Sequence, residues 1–205
     1  MQPAIIVPST LDEETARAEV YGLLAALFYA APAPALLENL RAAVTEAPAA
    51  GALLEASWGD VVATARAMSV EDIADEYDAL FGGVGKPAVY LFGSHYMSGF
   101  LNEKPLAALR GDLAELGLDR DDNMPETEDH FAYVCEVMRY LIAGEDVEVA
   151  NLTRQREFFT RHVQPWAQPM CDAISAHPKS RFYKSLASFT HTFTSVELQG
   201  FDMLA

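Results

Sequence analysis

Basic residues are scarce in this 205-residue chain, where 14 Lys and Arg stand against 30 Asp and Glu for a formal net charge of −16. That balance repels phosphate backbones and anionic headgroups, so it argues against nucleic acid or a membrane surface as the main partner and favours a basic one. Cysteine is nearly absent. Cys135 and Cys171 are isolated within apolar helical patterns, which suits small buried residues in a reducing compartment better than a disulfide framework or a zinc site. No stretch approaches the roughly twenty uncharged apolar residues that a membrane span needs. The opening MQPAIIVPST has no basic segment and an apolar run cut short at Pro8, so no export signal is expected and the cytoplasm is the expected compartment. Period-two alternation is missing as well, and with it any case for a sheet.

What is present is apolar side chain at helical spacing. With 51% hydrophobic residues the chain can offset the entropy of ordering, and its length suits one continuous core. Thr10 and Glu13 form a capping box, after which Val20, Leu23, Leu24, Leu27 and Phe28 recur until Pro32 and Pro34. A short helix from Pro34 carries Leu36, Leu37 and Leu40, and a third places Leu54, Trp58, Val61 and Val62 on one side, with Trp58 read as core. Ser69 caps a fourth, whose stripe of Ile73, Tyr77, Leu80 and Phe81 stops at Gly82.

From Gly82 to Gly93 four glycines and a proline break the period, which predicts an ordered loop followed by a Gly-broken aromatic stretch around Tyr96 and Phe100. Helix resumes near Pro105 and ends at Gly117. Residues 118–128 have no apolar period and form the expected hinge between two lobes, about 10–117 and about 129–200. Beyond it Phe131, Val134, Cys135, Met138 and Leu141 mark a strong helix, followed by one from Leu152, one from Pro165 and one after Pro178. The fold class is all-α, a single domain of about eight to ten helices.

The charge is unevenly spread. Residues 1–150 hold 26 acids and 8 bases, and the tract from Asp112 to Glu148 alone holds 12 acids and 2 bases. A solvated acidic face is the plain explanation of such a run. Asp129 and His130, at the start of an apolar helix, have two readings: they cap exposed backbone N–H groups, or they accept hydrogen bonds from an arginine-bearing peptide, with Glu126 and Glu128 deepening the potential. Tyr77, Leu80 and Phe81 at i, i+3 and i+4 are either core or the wall of a groove for an apolar peptide segment.

Enzymatic patterns are wanting. No HExxH, GxSxG, P-loop or dinucleotide fingerprint occurs, so no catalytic residue and no cofactor is assigned. Asp119, Asp121 and Asn123 open like a calcium loop, but Met124 stands at the turn glycine and His130 at the bidentate acid, so no metal is assigned either.

The stretch EYDALFGG with Tyr77, Leu80 and Phe81, followed by PETEDH from Pro125 to His130, resembles the two signature motifs of the TorD/DmsD/NarJ family of redox-enzyme maturation chaperones. Ser94 and Tyr96 resemble the family's Ser-x-Tyr segment, CEVM its Glu-x-Met helix, and FFTRHVQPW with RFYKSLASF its closing helices, so the likeness runs from about Tyr21 to Phe193. The proline sits differently: the family commonly reads Glu-Pro-x-Asp-His, whereas here Pro125 precedes Glu126. The resemblance implies binding of the twin-arginine leader of a molybdopterin oxidoreductase, holding the precursor back from export until its cofactor is inserted. It implies Tyr77, Leu80, Phe81, Ser94, Tyr96, Glu126, Glu128, Asp129 and His130 as the leader-binding set. Two other classes stay open, an adaptor gripping a folded, non-exported enzyme subunit and a metal-dependent hydrolase using His130. Both a monomer and a hinge-exchanged dimer are compatible with the chain.

Overall fold

A computed structural model describes residues 10–45, 53–82, 86–121 and 123–203. The Thr10 side chain, on which the capping box rests, and residues 83–85 of the glycine-rich loop lie outside the described residues. Among the described residues the chain forms ten helices and no strand: α1 (Thr10–Tyr29), α2 (Pro34–Ala42), α3 (Glu55–Ala67), α4 (Val70–Phe81), α5 (Gly93–Ser98), α6 (Lys104–Glu115), α7 (Phe131–Ala143), α8 (Leu152–His162), α9 (Gln164–Ala176) and α10 (Phe182–Met203).

The local signals work as their chemistry requires. Ser69 Oγ accepts from the Asp72 N–H at 3.0 Å to start α4, and Pro34, Pro105 and Pro165 sit in first turns, where a missing N–H costs nothing. Gly117 takes φ +70° after α6, a left-handed conformation that glycine adopts without a Cβ clash.

α1 lies along α7, and α10 packs against α9 and α3. Tyr21, Leu24, Leu27 and Phe28 from α1 meet Phe131, Val134 and Met138 of α7 and Phe182, Tyr183 and Leu186 of α10 in one buried cluster. Each such side chain contributes about 1.5–3 kcal/mol by leaving water. This buried cluster draws on both sides of residues 118–128, including Leu113 and Leu116 at the end of α6 as well as Phe131 and Val134 of α7. The charged ties run the same way: Arg17 of α1 forks onto the buried Glu197 of α10 at 2.7 and 2.8 Å, and Tyr21 Oη donates to the same carboxylate. Cys135 and Cys171 are free and buried, and burial pushes both thiols up, Cys171 to about 12, so they stay protonated packing residues.

One helix departs from the sequence reading. Gly93–Ser98, expected as irregular chain, is helical and closes at Gly99 with φ +81°. Its start is stabilised from elsewhere in the chain: Asp129 Oδ2 accepts from the Ser94 N–H at 2.8 Å. Local periodicity cannot report a cap supplied by a residue 35 positions away.

Candidate functional site

Residues 91–93 run antiparallel to 129–131. The Gly93 N–H donates to the Asp129 carbonyl at 2.9 Å, the Phe131 N–H donates to the Leu91 carbonyl at 2.8 Å, and Phe92 and His130 form an isolated bridge. The two sequence motifs are thus stitched together by backbone. Space at Gly93 is tight, since a Cβ would lie 3.0 Å from Trp166 Cε2 and Nε1.

Asp129 and His130 lie beneath this seam, each 4% exposed. Both carboxylate oxygens of Asp129 are engaged, Oδ2 by the Ser94 N–H and Oδ1 by the Thr127 hydroxyl at 2.6 Å. His130 Nδ1 accepts from the Ala132 N–H at 3.2 Å and caps α7. Burial drives the His130 imidazole down to about 4 against the opposing pull of Asp129, so it is neutral at ordinary pH. The geometry gives both residues a capping role, Asp129 at the start of α5 and His130 at the start of α7.

The aromatic stripe is equally occupied. Leu80 is fully buried, while Tyr77 and Phe81 are half-buried. Tyr77 Oη donates to the carbonyls of Phe28 at 3.3 Å and Tyr29 at 2.9 Å, closing the C-terminal end of α1. Phe81 meets Phe28, Tyr77 and Tyr183 edge-on at 6.3, 5.1 and 5.0 Å. Glu76, beside them, is the residue that the motif hides. It is 5% exposed, and its carboxylate accepts from the N–H groups of Arg181, Phe182 and Tyr183 at 2.8, 3.1 and 2.8 Å, capping α10. A glutamate between apolar positions of a helix was the available signal, but its use depends on a chain segment 105 residues on.

Ser94 is sealed in, and Tyr96 donates to the Tyr90 carbonyl at 2.8 Å while stacking on Trp166. Both therefore support the seam. Glu128 is half-buried and forked by Arg110 at 3.0 and 2.9 Å; burial works to raise its pKa, but the Arg110 bond prevails and holds it low. Glu126 is half-buried with no cation paired to it among the described residues.

The open surface lies one step away. A cleft of about 550 Å³ runs between α6, the 118–128 connection and α7, floored by Leu113, Leu118, Met124, Tyr133, Val137 and Tyr140. Asp119, Glu128 and Glu136 stand at its rim with Arg120 and Arg139. Tyr133, Val137 and Tyr140 recur at i, i+4 and i+7, a second apolar face on a helix whose first face is core. That pattern was legible in the sequence and passed unused behind the stronger stripe. Among the described residues no group of three or more His, Cys, Asp or Glu is placed to hold a metal ion, and no helix is long and apolar enough to cross a membrane.

Residues 30–172 match the family model described as nitrate reductase delta subunit. Among curated proteins, the Chaperone protein TorD of Vibrio parahaemolyticus serotype O3:K6 (strain RIMD 2210633) is 23% identical over 134 residues, which is 62% of this chain and 62% of that protein. The chain thus matches about three-fifths of that relative's length.

Proposed function

The chain belongs to the nitrate reductase delta subunit family, that of NarJ and TorD, and from that membership we propose that it is a cytoplasmic maturation chaperone and not an enzyme. It binds the twin-arginine leader, the apo form, or both, of a molybdopterin oxidoreductase and delays export until the cofactor is in place.

The observation that supports this reading is the cleft beside α7, an apolar floor under a rim of mixed charge, Asp119, Glu128 and Glu136 with Arg120 and Arg139, in a protein of net charge −16. An export leader presents a basic segment followed by an apolar one, and an acidic protein with an apolar cleft offers partners for both. The apolar part lies on Met124, Val137 and Tyr140, and the basic part meets the acids of the 118–128 connection. Asp129 and His130 take part from below, by holding that connection against residues 91–93. Tyr77, Leu80 and Phe81 shape the same end of the molecule by tying α1, α4 and α10 together.

Titration calorimetry with a synthetic twin-arginine leader at low and high ionic strength tests the reading. Affinity falls with salt through the charged share and retains an apolar remainder. A leader that binds at neither ionic strength removes the claim. The family's characterisation as a nitrate reductase subunit favours a second reading, an adaptor for a folded, non-exported enzyme subunit. Deleting the leader from a co-expressed client decides between them, because an adaptor keeps its client.

A further inference from the structure

Three exposed large apolar side chains, Met97, Phe100 and Leu101, stand together in the turn between α5 and α6. Phe100 is 70% exposed, and the chain from Met97 to Lys104 is exposed without a break. The turn is braced to present them. Gly99 at φ +81° closes α5, and Asn102 at φ +60° leads into α6, left-handed positions that glycine and asparagine tolerate. Ser98 Oγ donates to the Ser94 carbonyl at 2.7 Å with the Phe100 carbonyl 3.2 Å away, and the Ser94 N–H is itself fixed by Asp129. An apolar knob on a rigid support is the result.

Its charge sets it apart from the rest of the chain. Residues 79–111 hold one acid, Glu103, against three bases, Lys86, Lys104 and Arg110, in a molecule of net charge −16. Two copies of so acidic a protein repel each other, and the repulsion is least where one of them presents this stretch. A receptor for such a knob exists on the same molecule. The cleft between α6 and α7 is floored by Leu113, Leu118, Met124, Val137 and Tyr140, and its volume of about 550 Å³ suits a small cluster of side chains. With three acids and two arginines its rim leans negative. The knob cannot fill the cleft of its own chain, because it precedes Lys104 at the start of α6, and the helix carries the chain about 14 Å further before Leu113. A second copy meets no such limit.

We propose that the turn carrying Met97, Phe100 and Leu101 inserts into the α6–α7 cleft of a second copy of this chain, so that the protein covers its own apolar cleft when no client is present. The contact is heterologous: each molecule in a pair keeps one surface free, a knob or a cleft, and assemblies grow past the dimer. Three side chains make a small interface, so the dissociation constant is on the order of 100 μM, and a client segment that fills the cleft displaces the knob. The covering rests on the reading of the cleft as the client site, whereas the self-contact needs only an open apolar cleft. Salt separates the two kinds of binding. Self-contact strengthens as salt screens the repulsion between acidic copies, and a basic leader binds more weakly.

Sedimentation velocity over a range of concentrations tests this on the full-length protein, on Phe100→Ser, on Tyr140→Ser and on an equimolar mixture of the two variants. Wild type gains mass with concentration, and more so at high salt. Phe100→Ser keeps a cleft and loses the knob, while Tyr140→Ser keeps the knob and spoils the cleft. Each variant alone therefore associates at least about tenfold more weakly, and the mixture forms one-to-one dimers and nothing larger. Both side chains are exposed, so the variants fold; Leu101→Ser and Met124→Ser serve as second knob and cleft variants if a melt shows otherwise. Wild type that stays monomeric at every concentration, variants that associate as wild type does, or a mixture without the one-to-one dimer overturns the proposal. Adding a twin-arginine leader dissociates the wild-type assemblies, and Phe100→Ser binds that leader at least as tightly as wild type. A leader that binds while the assemblies persist overturns the covering. A leader that does not bind removes the chaperone reading and leaves the self-contact to be decided by the variants and their mixture.

Discussion

His130 makes the stability of this protein sensitive to acid in a way that can be calculated. The imidazole is buried, caps α7 through Nδ1, and is held down to about 4 against an ordinary value of 6.5. Between those two pH values the unfolded chain binds a proton that the folded chain refuses, so stability falls as pH drops through the window. The contribution is fully present at neutral pH and is lost completely below about pH 4. Its full size is about 3 kcal/mol, of which about 2 kcal/mol is gone by about pH 5. His130→Asn retains a short acceptor at the cap and removes the titration. Urea unfolding followed by helical ellipticity at about pH 7 and about pH 5 should show wild type losing about 2 kcal/mol more than the variant. His162 is also held low by burial, which outweighs the opposing bond to Asp112, and it contributes equally to both proteins, so the difference between them isolates His130. Equal losses in the two proteins would mean that His130 protonates freely in the folded state, and the buried-cap account would be refuted.

Leu80→Ala should cost about 2–5 kcal/mol, read as a lower melting temperature, because the side chain is fully buried; a near-silent variant would put Leu80 in an open groove. Glu76→Ala should cost about 1–3 kcal/mol by stranding the N–H groups of Arg181, Phe182 and Tyr183, and hydrogen exchange at the start of α10 should speed up in that variant; unchanged protection there would remove the cap.

Most of the helices, their local caps and the all-α class were legible in the sequence because those features depend on residues within a turn or two, whereas α5 and the caps from Asp129 and Glu76 depend on distant chain. Ser69, Pro165 and Gly117 act on their own neighbours. The aromatic stripe of Tyr77, Leu80 and Phe81 was legible as apolar periodicity, but periodicity cannot tell a groove wall from core. Asp129 shows the same limit for charge, since an acid after a polar connection reads as an open binding group until the Ser94 N–H, 35 residues earlier, is found on it.

The sequence by itself determined most of the secondary structure, the acidity and the family resemblance, since composition and short-range hydrogen bonding need no knowledge of the fold. Tertiary structure decided which face of α7 is buried and which is open, and which acids are consumed as caps. The physical reason is that burial and pairing belong to the packed whole. A carboxylate is a ligand or a cap according to what the rest of the chain brings to it.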